Sequence, residues 1–248
     1  MPIQGMTSAR KIRLNLRKIA KLLTRLQPDI VAIQEIDERS RWAGNFDHLD
    51  YLRDFTDLPH AVFGINNRRE GLINLAYGNA FLSKHPIVES ETIVFGRSQV
   101  GEKGFLFGEF DVNGLRVPLV NLHLHYASRI HRFRQIDRLL AYMKEKERLR
   151  PVRWNVSPIV CGDFNNPGSH LGDATSSLLS HLYDMDDYTL HPREGKTFPS
   201  PLPSRLLDFV FLPPGCDDVR SEVVKSLLSD HRPVLVDFSL PAARPKAE

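Results

Sequence analysis

The sequence has only two cysteines in 248 residues, Cys161 and Cys216, too few for a disulfide framework. Both read as free thiols. It has no apolar run approaching the ~18 residues that a membrane-spanning helix needs. Met1-Pro2-Ile3-Gln4-Gly5 carries no apolar h-region, so no signal peptide is legible and the reading is cytoplasmic. Charge of one sign is not in excess either. A formal net charge of +3 suits a phosphate-bearing substrate but is no nucleic-acid signature. Basic residues do not interleave with aromatics around Trp42 or Trp154, which read as packing or loop anchors. No internal repeat is found.

What is there is an ordinary globular composition, 42% hydrophobic and 25% charged, enough for one sizeable core. One domain over 1–240 with a short tail over 241–248 is expected. Ile12, Leu16, Ile19, Leu23 and Leu26 recur at helical spacing, with Arg13, Arg17, Lys18, Lys21 and Arg25 between them. This predicts an amphipathic helix whose basic outer face is solvated, stopped by Gln27-Pro28-Asp29. A buried strand follows over 30–35, ending on Glu35. Residues 51–57 read as helix or loop, and 61–64 and 80–83 as strands. Strands are predicted at 87–95, 104–112 and 116–124, with Asn113-Gly114 as a hairpin turn between the last two. A helix over 132–148 presents Phe133, Ile136, Leu139, Leu140 and Met143 on one face. Arg129, Arg132 and Arg134 at its start read as a solvated basic turn. Later come a strand at 158–161, a helix at 178–182, a Pro-rich loop over 192–203 with a functional role, and strands at 206–212 and 234–238. Mixed or antiparallel sheets with helices outside are implied.

Several polar residues fall at strand ends. Glu35 ends one strand, and Asp163 and Asn165 follow another. Asp208 lies inside Arg205-Leu206-Leu207-Asp208-Phe209-Val210-Phe211, and Asp230 and His231 precede the last strand. A lone carboxylate there is a turn or cap residue; four acids and a histidine in this pattern point to a site. Mg²⁺ is hard and small, and takes carboxylate, water and phosphate oxygens. Hydrolysis of an anionic phosphoester needs charge offset, an aligned water and a protected leaving oxygen. A histidine paired with a carboxylate supplies acid–base help.

Ala32-Ile33-Gln34-Glu35, Tyr77-Gly78-Asn79-Ala80-Phe81-Leu82-Ser83, Asn121-Leu122-His123-Leu124, Gly162-Asp163-Phe164-Asn165, Arg205-Leu206-Leu207-Asp208-Phe209-Val210 and Ser229-Asp230-His231-Arg232-Pro233-Val234 stand in that order. As an ordered set, spread over nearly the whole chain, they resemble the endonuclease/exonuclease/phosphatase superfamily. The resemblance implies an α+β fold, a four-layer αββα sandwich with two mixed, mainly antiparallel sheets. It implies Glu35 as the main Mg²⁺ carboxylate and Asp230 as a second, often water-mediated ligand, with Mn²⁺ an admissible substitute ion. It implies Asp163 as the residue that aligns or deprotonates the water, with Asn165 as its phosphate-binding neighbour. His231 would form a dyad with Asp208, and His123 would contact a phosphoryl oxygen. Asn79 and Tyr77 are implied as substrate-facing.

Two departures stand out. Ile3-Gln4-Gly5 matches the loop after the family's first strand, which puts Pro2 where the family has an Asn that holds metal or water. The first strand is thus truncated, and a late start is expected, with a leader or anchor able to lie upstream. The Glu that secreted deoxyribonucleases pair with the histidine matching His123 is also lacking. His125 and His131, with His123, raise the minor alternative of a transition-metal cluster.

The expected activity is Mg²⁺-dependent hydrolysis of a phosphodiester or phosphomonoester, on a phospholipid or small phosphoester. A nuclease acting on DNA or RNA is the alternative within enzymes. A catalytically impaired binding or scaffold protein is the alternative outside them. The expected partner is a phosphoester substrate, with nucleic acid and membrane lipid both open, and no feature names a protein partner.

Overall fold

The computed structural model describes residues 8–69, 74–96, 103–149, 154–166 and 173–241. Pro2, the loop Ile3-Gln4-Gly5 and residues 242–248 lie outside them. The chain divides into two compact units, Met1–Gly108 and Glu109–Glu248.

In the first unit, α1 (Ala9–Leu26) starts a turn before Ile12 because Ser8 caps it, its side chain accepting from the Lys11 N–H. It ends at Gln27, whose left-handed backbone returns an N–H to the Leu23 carbonyl. β1 (Ile30–Asp37) follows, then α2 (His48–Asp54), then β2 (His60–Arg69), β3 (Leu75–Ser83) and β4 (Ile87–Val94). α2 begins earlier than expected because Asp47 caps it, its Oδ1 accepting from the N–H groups of Leu49 and Asp50. β1, β3 and β2 form an antiparallel sheet in that order. Leu16, Ala20, Leu49 and Leu52 of the helices pack on Ile36, Ala80 and Leu82 of the sheet. The periodicity read from the sequence is therefore the one that is buried. Trp42 departs from expectation: half of it is exposed, so it anchors little.

β5 (Gly104–Val112) runs from the first unit into the second. The second unit continues with β6 (Leu115–His123), α3 (Arg129–Leu149), β7 (Ile159–Asp163), α4 (Ala174–Asp186), β8 (Thr189–His191), β9 (Asp208–Leu212), β10 (Asp217–Val223) and β11 (Val234–Ser239). Its sheet order is β5-β6-β7-β9-β8, with β10 and β11 as a separate antiparallel ribbon. β6 and β7 are parallel, and β9 is antiparallel to both β7 and β8. Asn113-Gly114 makes the turn between β5 and β6, both with positive φ. Phe164 packs against Phe209 and Phe211 at 5.9 and 5.1 Å between ring centroids. Helices with mixed, mainly antiparallel sheets make this an α+β fold, as predicted.

α3 buries Ile136, Leu139 and Met143 of the expected face, with Phe133 and Leu140 half-buried, and widens that face with two polar residues. Arg132 and Gln135 are buried beside Ile136, Leu139 and Met143. Arg132 is thus no solvated residue. Its guanidinium meets Asp173 at 3.4 Å and donates to the His125 carbonyl at 3.1 Å. Cys161 and Cys216 are both free, as expected. Burial pushes their thiols up to about 12 and about 11, so neither is a nucleophile near neutral pH.

Candidate active site

Sheet register alone lines up three of the expected residues. His123 is the last residue of β6, Asp163 the last of β7 and Asp208 the first of β9. The pairings are His123 with Asp163 and Asp163 with Asp208, so the three form one row across adjacent strands. Side chains directly opposite on neighbouring strands share a face. Asp208 is therefore a strand-start residue, not one inside a strand beginning at Leu206. The row ends the sheet, where the chain must leave β7 sharply. Gly162, with φ 138°, permits this: a Cβ there would lie 2.0 Å from the Leu122 carbonyl oxygen.

His231 closes over the row from the loop before β11. Its Nδ1 lies 2.8 Å from Asp208 Oδ2, and its Nε2 3.9 Å from Asp163 Oδ2. His123 Nε2 approaches the same Asp163 oxygen at 3.4 Å. Asp163 is only 6% exposed. Its other oxygen, Oδ1, accepts from the Asn165 N–H at 2.8 Å. Asn165 takes a left-handed φ of 53° to make this turn, and its Nδ2 donates to the Leu124 carbonyl at 2.9 Å. Its second amide proton and Oδ1 have no partner among the described residues. Asp230 is exposed and accepts from Ser229 Oγ at 3.1 Å.

These charges act on His231. Burial alone pushes the imidazole down. The hydrogen bond to Asp208, with the charges of Asp208, Asp163 and Asp230, outweighs burial and raises it to about 9. His231 is thus an imidazolium at neutral pH, with Nδ1–H donated to Asp208.

The Pro-rich loop over 192–203 holds the histidine in place, a role legible beforehand only as composition, without partners. Ser200 N–H donates to the Asp230 carbonyl at 2.7 Å, and its Oγ to the Ser229 carbonyl at 2.6 Å. Arg232 N–H donates to the Thr197 carbonyl at 2.8 Å, and its Nε to the Ser200 carbonyl at 2.9 Å. Phe198 packs on the His231 ring at 4.8 Å and is itself covered by the Arg205 guanidinium. Phe198 and Ser200 were not found by sequence reasoning, and only the length and proline content of the loop pointed to them; Arg232 stood in the run around His231 without a role.

The first unit holds the other expected residues. Glu35 does not end β1, which runs on to Asp37. It sits in a β-bulge: Ile33 pairs with Ala80 and Ile36 with Gly78, so Gln34 and Glu35 together face Asn79. Its φ of 55° is left-handed, a conformation that the bulge imposes. β2 bulges at the same level, with Asn66 inserted between Ile65 and Asn67. Gly78 lies between the bulges, where a Cβ would be 1.8 Å from the Gly64 carbonyl oxygen. The Glu35 side chain is 41% exposed, and Lys103 Nζ lies 2.8 Å from its Oε1. Asn79 is fully buried; its Nδ2 donates to the Gly104 carbonyl at 3.2 Å, beside Lys103. Tyr77 Oη accepts from Asn67 Nδ2 at 3.2 Å.

His125 lies past the end of β6. Its Nδ1 accepts from the N–H groups of Ala127 and Ser128, and its ring stacks on Tyr126 and His131. It shapes the entry to α3. Among the described residues, the group of potential ligand atoms found together is Asp163, Asp208 and His231. His231 cannot ligate through Nδ1 while that atom donates to Asp208. The cluster therefore suits proton handling, whereas a hard cation suits carboxylate oxygens such as those of Glu35. Glu35 already faces a cation, and its exposure leaves it reachable, so the donor chemistry fits a divalent ion.

The model of the Endonuclease/Exonuclease/phosphatase family matches residues 8–231. The chain belongs to this family. At the family level this makes it a phosphoester hydrolase. No curated protein matches. The chain is similar in structure to the mannosyl-6-phosphatase of Bacteroides thetaiotaomicron VPI-5482, with a TM-score of 0.68, 19% identity and 92% of each chain covered. It is similar to sphingomyelinase C of Streptomyces griseocarneus, with a TM-score of 0.67, 21% identity and 91% of each chain covered. It is also similar to truncated TDP2 of Caenorhabditis elegans, with a TM-score of 0.63 and 18% identity, over 92% of this chain and 91% of that one. At these identities the likeness shows the fold alone.

Proposed function

We propose that this chain is a Mg²⁺-dependent hydrolase of phosphodiesters or phosphomonoesters, acting on a phospholipid or small phosphoester. The observation that carries this reading is the row His123, Asp163 and Asp208 with His231 closed over it. Asp163, beside two histidines, aligns the attacking water and takes its proton as the new P–O bond forms; the ester P–O bond breaks and the departing oxygen picks up a proton from solvent. His231, held by Asp208, keeps an Nε2–H for a phosphoryl oxygen. His123 and the Asn165 amide donate to the remaining phosphoryl oxygens. Fixed donors of this kind favour the transition state because they need no reorganisation.

Glu35 is the proposed Mg²⁺ carboxylate, and Asp230 a ligand through water, with Mn²⁺ an acceptable substitute. A bound divalent ion supplies positive charge against the developing phosphoryl charge. We assign Asn79 to positioning through Gly104, and Tyr77 to the substrate side. Residues 1–240 form one domain in this proposal, which the unbroken family match over 8–231 supports, and 241–248 a tail. A cytoplasmic location belongs to the same proposal; no helix among the described residues is long and apolar enough to cross a membrane.

The test is hydrolysis of bis-p-nitrophenyl phosphate and a panel of choline-, inositol- and sugar-phosphate esters, with and without Mg²⁺. Ion-dependent turnover that a chelator quenches is expected. No chelator-sensitive turnover on any ester would leave the scaffold reading in its place.

A further inference from the structure

α1 is more one-sided in charge than any bulk number suggests. Its 18 residues carry Arg10, Lys11, Arg13, Arg17, Lys18, Lys21 and Arg25 and no acid. The whole chain is only +3, so the rest of it carries −4. At roughly 100° per residue, all seven cations fall within an arc of about 160°, with Leu14 near its centre. The opposite side, Ile12, Leu16, Ile19 and Ala20, packs on the sheet. All seven cations are exposed, and none makes an ion pair among the described residues. A solvated helix face ordinarily mixes signs, since (i, i+4) pairs stabilise it; this one forgoes every such pair.

The face also carries apolar surface. Leu14 is 52% exposed, and Phe55, under the Arg17 guanidinium at 4.8 Å, is 41% exposed. Arg13 lies over Phe46 at 4.4 Å. Arg10, Arg13, Leu14 and Arg17 line, with Tyr51, a shallow cavity of about 230 Å³, room for a lipid phosphate. A cationic arc around an exposed leucine and aromatic edges is the pattern of a helix that lies on a bilayer. Nucleic acid would meet the charge but gain nothing from Leu14.

We propose that α1 docks this protein on an anionic phospholipid surface, phosphates against the arginines and Leu14 entering the headgroup layer. The inference does not depend on turnover and goes beyond the proposed chemistry. Each basic residue at an anionic membrane surface contributes about five-fold to binding.

The test is co-sedimentation of the full chain with phosphatidylcholine vesicles and with vesicles containing about 30 mol% phosphatidylserine, across a salt series. Binding to the anionic vesicles alone, weakening as salt rises, is expected. The variant Arg10→Glu/Lys18→Glu/Lys21→Glu should bind at least about 100-fold more weakly, with its rate on soluble bis-p-nitrophenyl phosphate unchanged. If that variant melts lower, Lys18→Gln/Lys21→Gln decides, with a loss of about 25-fold. Equal binding to both vesicles, or unaltered binding by the variants, would overturn the proposal. So would tight binding to duplex DNA with none to vesicles.

Discussion

His231 and Asp208 make a stability prediction that needs no substrate. The imidazole is raised from an ordinary 6.5 to about 9 in the fold, with Asp208 as the main raising partner. In the unfolded chain it returns to its ordinary value. A group raised on folding stabilises fully below its unfolded value and loses that stabilisation as pH rises through its folded one. The window is therefore about pH 6.5 to 9. At 1.36 kcal/mol per decade of proton affinity, the full effect is on the order of 3 kcal/mol. With 24% of the side chain exposed, about 2–3 kcal/mol is a fair expectation. For a chain of this size that is roughly 5–10 °C of melting temperature. Asp208→Asn keeps the shape and an acceptor for Nδ1–H but removes the charge. Scanning calorimetry and urea titrations between pH 6 and 10 should show the wild type losing this stability and the variant losing little of it. An NMR titration of His231 should move from about 9 toward its ordinary value in the variant. A wild-type His231 that titrates near 6.5, or identical pH–stability curves for the two proteins, would refute the reasoning.

Three further outcomes are expected. Asp163→Ala or His231→Ala should lower kcat by about 10²–10⁴-fold with an unchanged circular dichroism spectrum; full activity in either would remove the assigned roles. Lys103→Met takes a cation from 2.8 Å off Glu35, so Mn²⁺ binding by calorimetry should tighten by about ten-fold, while the metal-free protein melts lower. Unchanged affinity would separate Glu35 from the ion. Asp37 is buried, and that burial, opposed by its hydrogen bonds from Ser40, raises its carboxyl above the ordinary 3.8. Its contribution is present below that pH and lost as pH rises through the raised value, so Asp37→Asn should gain on the wild type as pH climbs from 4 to 7, read by urea titration.

Much of the fold was legible because burial follows period. Leu16 and Ala20 pack where the helical spacing put α1's inner face, and Asn113-Gly114 turns where a two-residue hairpin demands it. Strands missed were those with little to bury. β8 has three residues, and β10 is an edge-type run, Asp217–Val223, whose acids hide the alternation of Val219, Ser221 and Val223. Site residues were legible as types at strand ends. Their geometry was not, since it depends on pairing. Register sets His123, Asp163 and Asp208 side by side, and a bulge, invisible in Ala32-Ile33-Gln34-Glu35, turns Glu35 to a left-handed φ inside β1. Arg132 misled because a buried arginine and a solvated one look alike until Asp173, 41 residues on, is seen beside it. The Pro-rich loop announced a role, but its contacts to Asp230 and Arg232 are long-range and leave no local pattern.

The central claim is that Asp163 drives ion-dependent hydrolysis of a phosphoester. Its most direct test is the initial rate of wild type and Asp163→Asn on the best ester of the panel, with Mg²⁺ and with chelator. Expected are turnover by the wild type with Mg²⁺, none with chelator, and a loss of at least about 10²-fold in the variant at an unchanged melting temperature. Equal rates for the two proteins, or a wild-type rate indifferent to chelator, would contradict it.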